Sequence, residues 1–192
     1  MGADHPKTLS GMNNLANSYS ELGRLAEALK LREETLARTQ RTLGADHPHT
    51  LASMNNLAQS YRALGRYAEA LKLNNESLAR KWSKLGTDHP DTLRSMDNLA
   101  NSYSDLGRVA EALKLREETL ALKRRKMGSE HPETLGSMNN LANSYRALGR
   151  YAEALKLREE TLALMRSKLG TDHPDTLGSM NNLTNSYRAL NR

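Results

Sequence analysis

The 192-residue chain contains no cysteine, no phenylalanine and no isoleucine, and Val109 is its one valine. Without thiols there is neither a disulfide nor a thiolate-bound metal to consider, and cysteine usage says nothing about redox compartment. Strands draw on β-branched and aromatic side chains, and this sequence has almost none of the first and few of the second. Its apolar residues are mainly Leu and Ala, which favour helix, so composition alone implies an all-α chain. No run approaches the ~20 apolar residues of a membrane-spanning helix. The first residues also lack the apolar core of a secretory signal. The expectation is a soluble, cytoplasmic protein with no membrane partner.

Also missing are the motifs that mark catalysis: a Gly-rich phosphate loop, a Gly-x-Ser-x-Gly elbow and a His-Glu-x-x-His pair. The sequence therefore reads as a non-enzyme that needs no cofactor. Charge is mixed rather than one-sided, with 28 Lys and Arg against 22 Asp and Glu, a formal +6. The densest basic run, Lys123-Arg124-Arg125-Lys126, falls near the end of an expected helix. Cations there complement the helix dipole, so the run reads as a solvated helix end.

What the chain does have is repetition. Its five prolines, Pro6, Pro48, Pro90, Pro132 and Pro174, are spaced 42 residues apart, each preceded by His and an acidic residue. Segments 49–90 and 133–174 agree at 33 of 42 positions. Self-similarity at such a period is the mark of stacked supersecondary units. The units run approximately over 4–45, 46–87, 88–129 and 130–171, with a half unit over 172–192, and the sequence reads as one uninterrupted array.

Each unit divides into two helices. Proline suits a first helical turn and turns the residue before it away from helix, so helix A of the first unit starts near Pro6 with Asp4 or His5 as cap. Leu9, Met12, Leu15, Ala16, Tyr19 and Leu22 follow the three-and-four spacing of an amphipathic helix. Gly23 supplies a left-handed stop. Helix B follows with Leu25, Ala28, Leu29, Thr35 and Leu36 on one face and stops near Gly44. The pattern yields four helix pairs and one further helix A.

Leu15, Ala16 and Tyr19 on helix A, Ala28 on helix B, and the turn Leu-Gly-Arg-Tyr-Ala-Glu-Ala at 148–154 resemble the tetratricopeptide repeat, in its 42-residue kinesin-light-chain-like form. The resemblance covers essentially the whole chain. It implies an α-solenoid, a right-handed superhelix of about four and a half helix-turn-helix repeats, whose A helices line a concave groove that receives a protein or peptide. The chain is also similar to the sensor arrays of large signalling ATPases, whose repeats can be nearly identical copies, and that resemblance implies, as an alternative, the sensor or tail fragment of a larger signalling protein. Some family members clamp a peptide's terminal carboxylate; Asn17, Asn56 and Arg94 stand at matching positions. Asn13 replaces a lysine and Asn98 an arginine, so the likeness stops short of that clamp.

At 100° per residue, Ser10, Asn13, Asn17, Ser20 and Glu21 share one polar stripe of the first helix A, away from its apolar side. The equivalent stripes carry Asn55, Gln59 and Arg62; Arg94, Asp97 and Asn101; Asn139, Asn143 and Arg146; and Asn181, Asn185 and Arg188. Asn56, Asn98 and Asn140 lie at the stripe's edge. An amide both donates and accepts, so a ladder of Asn can pair an extended peptide's backbone whatever its side chains. Asn is a mediocre helix former and a poor choice for solubility alone. The candidate site is therefore this stripe, taken as a peptide-binding groove. It holds no aromatic platform for bases, so no nucleic-acid partner is expected. The His residues recur one repeat apart, too far to converge on a metal ion. The competing function is head-to-tail self-association, because Leu177, Met180, Leu183, Tyr187 and Leu190 form an apolar flank that no later helix B covers.

Overall fold

The computed structural model describes residues 5–190, and these form nine α-helices and no strand. They fall into two compact units, Met1–Leu106 and Gly107–Arg192. The first holds α1 (Pro6–Glu21), α2 (Leu25–Leu43), α3 (Pro48–Ala63), α4 (Tyr67–Leu85) and α5 (Pro90–Asp105). The second holds α6 (Val109–Met127), α7 (Pro132–Ala147), α8 (Tyr151–Leu169) and α9 (Pro174–Leu190). Odd-numbered helices are the A helices, even-numbered ones the B helices. Within each unit every helix packs on the next in sequence. No helix among the described residues is long and apolar enough to cross a membrane.

Local chemistry sets each boundary. The histidine before proline is the N-cap: its Nδ1 accepts from the backbone N–H two residues on, at 3.2 Å from Lys7, 3.1 Å from His49 and 3.1 Å from Asp91. His131 and His173 do the same for Glu133 and Asp175. Of the two caps the sequence allows, Asp4 lies outside the described residues. In the second repeat Asp46 is drawn instead to Arg80, at 2.8 Å.

The A helices end in a six-residue closure. Arg24 N–H reaches Tyr19 C=O at 2.8 Å and Gly23 N–H reaches Ser20 C=O at 3.1 Å, the double bond pattern of a left-handed helix terminus. Gly23 has φ 74°, where an L side chain is strained. Arg24 then stacks on Tyr19, 4.4 Å from the ring centre, and ion-pairs with Glu27. Arg66 with Tyr61 and Glu69, and Arg150 with Tyr145 and Glu153, repeat the arrangement. The B-helix stop differs from that of the A helices. Gly44 has φ 90° and ψ 163°, the mirror-extended region that only glycine occupies readily, so the chain leaves the helix straight toward the next His-Pro.

The core is built from leucine and methionine packed where small residues let helices approach. In the first unit Leu36, Leu51, Met54 and Leu57 cluster, with Leu29, Tyr61 and Leu73 against them. In the second, Leu113, Leu135, Met138, Leu141 and Leu157 do the same. Each such leucine contributes about 1.5–3 kcal/mol by leaving water. Ala28, Ala70, Ala112 and Ala154 are fully buried at the matching B-helix position.

Three expectations need correction. Leu22 is not a core residue: it follows the last turn of α1 and is 72% exposed, as its counterparts Leu64, Leu106 and Leu148 are also exposed. Leu15 is exposed too, although Leu57, Leu99 and Leu141 at the same position are buried, because among the described residues α1 has no helix on that flank. Lys123 is not part of a solvated end: it is 2% exposed, and its Nζ donates to Ser137 Oγ at 2.9 Å.

Candidate protein-binding face

The polar stripe is anchored from below by B-helix side chains. Arg32 is buried in α2, and its guanidinium spans two A helices. One end donates to Asn17 Oδ1 on α1 at 2.7 Å; the other reaches Asn56 C=O at 3.0 Å and Ser60 Oγ at 2.7 Å on α3. Arg158 repeats this in the second unit, binding Asn143 Oδ1 at 2.8 Å on α7, and Asn182 C=O at 2.7 Å and Ser186 Oγ on α9. Burial pulls the pKa of both guanidinium groups below the usual arginine value, and for Arg158 the nearby Arg146 adds to it. The second repeat has Asn74 here, which reaches Ser102 Oγ at 2.8 Å and Asn98 C=O at 3.3 Å but is too short to span to Gln59.

The stripe residues thus divide by what already holds them. Asn17 and Asn143 are exposed, yet their amide oxygens accept from the buried arginines. Asn13 accepts weakly from Asn56, at 3.4 Å, and Asn55 accepts from Ser77 at 3.1 Å. Asn98 and Asn140 are half-buried at the stripe's edge, and so are Asp97 and Asn101 on α5. Asn139 is half-buried with an Oδ1 that has no hydrogen-bond partner. Thr161, which stands where Ser77 does, donates instead to Leu157 C=O of its own helix, at 2.7 Å. Arg94 is exposed and pairs with Asp91 at 2.8 Å. Gln59, Asn181, Asn185, Arg146 and Arg188 are exposed, with no hydrogen bond to the other described residues.

Two clefts open among these residues, one in each unit. In the first unit Gln59, Arg62, Ala63, Tyr67 and Asp105 line about 330 Å³. There Arg62 on α3 forms a two-pronged ion pair with Asp105 on α5. In the second unit a cleft of about 530 Å³ is lined by Asn143, Arg146, Tyr151, Arg158, Asn182, Asn185, Arg188 and Ala189. Its cations have no carboxylate among that lining. Among the described residues no group of three or more His, Cys, Asp or Glu is placed to hold a metal ion.

The supports beneath the stripe, Arg32, Arg116 and Arg158, do not show in its polar pattern. A signal was there. Arg recurs four residues after Ala28, Ala112 and Ala154, which puts it on the buried face of helix B.

The tetratricopeptide repeat family profile matches residues 7–81, 92–133 and 134–175. The chain belongs to the tetratricopeptide repeat family. The nearly identical TPR-like repeats of a Podosopora anserina protein assigned to the kinesin light chains are similar to it in structure. A single-substitution form of those repeats is 34% identical, with a TM-score of 0.88 over 100% of this chain and 89% of that one. A second structure of the same repeats is 36% identical, with a TM-score of 0.86 over 97% and 89%. BtubC (BKLC) from P. vanneervenii, at 22% identity, shares the fold, with a TM-score of 0.84 over 96% of this chain and 74% of that one. Among curated proteins no sequence match was found. The chain is accordingly a tetratricopeptide repeat scaffold of the kinesin-light-chain-like kind, an all-α solenoid fold that commonly mediates protein interactions and is typically non-catalytic.

Proposed function

We propose that this scaffold binds a protein or peptide along the polar face of its A helices, with no chemistry of its own. The observation that carries the reading is the division of labour on that face. Buried Arg32 and Arg158 fix successive A helices in register, while Gln59, Asn181, Asn185, Arg146 and Arg188 stay exposed with unspent hydrogen-bonding capacity. Rigid presentation of such groups lowers the ordering cost of binding.

The test is a peptide library selected on the immobilised chain. Selected peptides should lose binding to a variant with Gln59→Ala, Asn181→Ala and Asn185→Ala together, while helicity and melting stay within experimental scatter. Binding that survives the triple change places the ligand elsewhere.

The second reading is end-to-end self-association. Leu177 of α9 is 46% exposed, whereas Leu135 at the same position of α7 is 3% exposed. Among the described residues no helix covers that flank of α9, and on this reading a repeat of a second copy would cover it. Concentration-dependent sedimentation, abolished by Leu177→Lys with Leu190→Glu, is the expected behaviour on this reading. A monomer at all concentrations contradicts it.

A further inference from the structure

The two clefts occupy corresponding places and differ in one decisive residue. Arg62 and Arg146 are equivalent, and so are Asp105 and Ala189, in each case 43 positions later. In the first unit the carboxylate of Asp105 satisfies Arg62. In the second, Ala189 stands where that carboxylate would be, so Arg146 has no internal anion among the described residues. The next repeat's arginine, Arg188, and the floor arginine, Arg158, line the same cleft. Arg158 is 4% exposed and its hydrogen bonds go to neutral oxygens, the amide of Asn143, the carbonyl of Asn182 and the hydroxyl of Ser186. A guanidinium carries five N–H donors, so Arg158 keeps donors to spare. A desolvated cation without a counter-charge is costly, and its depressed pKa, from burial first and Arg146 second, expresses that cost.

We propose that the cleft between α7, α8 and α9 is a receptor for a phosphate monoester on a peptide side chain, a phosphoserine or phosphothreonine, held by Arg146, Arg158 and Arg188. This rests on the peptide-binding reading of the A-helix face and names the group that face recognises. Charge balance selects phosphate over a single carboxylate. One carboxylate suffices for one arginine, as Asp105 does for Arg62, whereas three guanidinium groups meet here. A phosphate monoester brings about −1.5 to −2 charges and three acceptor oxygens, and planar guanidinium forks match its geometry. Asn185 and Tyr151 line the same walls and supply neutral hydrogen-bonding groups beside it.

The experiment uses the full chain and three fluorescein-labelled Gly-Ala peptides that differ at one central residue: phosphoserine, serine or aspartate. Anisotropy should show the phosphoserine peptide binding about tenfold or more tightly than either other, and inorganic phosphate should displace it. Losing a hydrogen bond to a charged group costs about tenfold or more in affinity. Arg146→Gln and Arg188→Gln should each weaken the complex by that factor; both residues are exposed, so the fold is retained. Arg125→Gln, at an exposed B-helix position outside both clefts, should change nothing. Equal affinity for the three peptides overturns the proposal, as does undiminished binding by Arg146→Gln and Arg188→Gln, or an equal loss with Arg125→Gln. Tighter binding of a thymidine oligonucleotide than of the phosphopeptide would replace it with a nucleic-acid site. If library-selected unphosphorylated peptides still bind while the phosphoserine peptide shows no preference, the phosphate assignment fails and the groove reading stands.

Discussion

The clefts of the two units are made from the same repeat, yet one is internally neutralised and the other is not. Arg62 meets Asp105; Arg146 meets Ala189. The B-helix residue differs as well: Arg158 lines the second cleft, whereas the equivalent Asn74 is spent on Ser102 and the Asn98 carbonyl and does not line the first. Neither change touches the caps, the glycine stops or the leucine clusters. A 42-residue repeat of this kind therefore separates architecture from surface chemistry. Exchanging one stripe residue and one floor residue converts a self-satisfied polar face into an anion-seeking one without disturbing the fold.

The floor should be the most sensitive point of that comparison. Arg158→Ala removes the hydrogen bonds to Asn143, the Asn182 carbonyl and Ser186 together with the buried arginine stem, and should cost about 3 kcal/mol in urea unfolding. Arg158→Asn copies the first unit's Asn74, keeps reach to the carbonyl and hydroxyl, and should cost only about 1 kcal/mol. Equal losses would show that the bridge to Asn143 contributes nothing.

A second contrast lies on the B helices, where Thr39, Lys81, Lys123 and Met165 are equivalent. Lys81 Nζ is buried against Ser95 Oγ at 2.7 Å, and burial lowers its pKa. The corresponding serines Ser53 and Ser179, without a lysine beneath them, have no hydrogen-bond partner. Replacing the pair by Lys81→Met and Ser95→Ala should stabilise the protein by about 1–2 kcal/mol at neutral pH. The native chain resists a proton that the unfolded chain binds. Wild-type stability therefore rises with pH between the lowered folded pKa and about 10.4, and the variant's advantage should shrink over that window. An advantage independent of pH would mean that the lysine charge is not the cause.

Smaller effects belong to exposed groups. Asp105→Ala should lower stability by less than about 1 kcal/mol, and less still in high salt, because the ion pair is partly solvated. A large, salt-insensitive loss would make the pair structural. Tyr145 donates to Glu117 at 2.8 Å, and burial followed by that hydrogen bond pushes its phenol up to about 12. A raised tyrosine pKa contributes stability that is fully present below about pH 10 and is lost as pH climbs through about 12. Tyr145→Phe should remove that alkaline step from the melting curve, and an unchanged step would assign it to another group.

Most of the fold was legible in the sequence because it rests on local devices. Proline, glycine and the three-and-four apolar spacing act within a few residues, and each recurs at the 42-residue period. Leu22 misled because its spacing continues the apolar stripe one residue past the last turn of α1. Lys123 misled because a basic run at a helix end normally faces water; only the packing of α7 against α6 shows that one member is turned inward to Ser137. The polar stripe could be drawn on a helical wheel, and its residues do lie at or near the surface. Which of them are already spent could not be read there, since that depends on arginines fifteen residues away, such as Arg32 to Asn17. The ion pair that separates the two clefts spans 43 positions.

On the proposed reading, one missing carboxylate leaves the second cleft open to an external anion. Ala189→Asp restores it, setting a carboxylate opposite Arg146 as Asp105 faces Arg62. In the phosphoserine-peptide titration this variant should lose binding by about tenfold or more, while its melting temperature stays level or rises. Undiminished phosphopeptide binding by a folded Ala189→Asp protein would show that the missing carboxylate does not open the cleft.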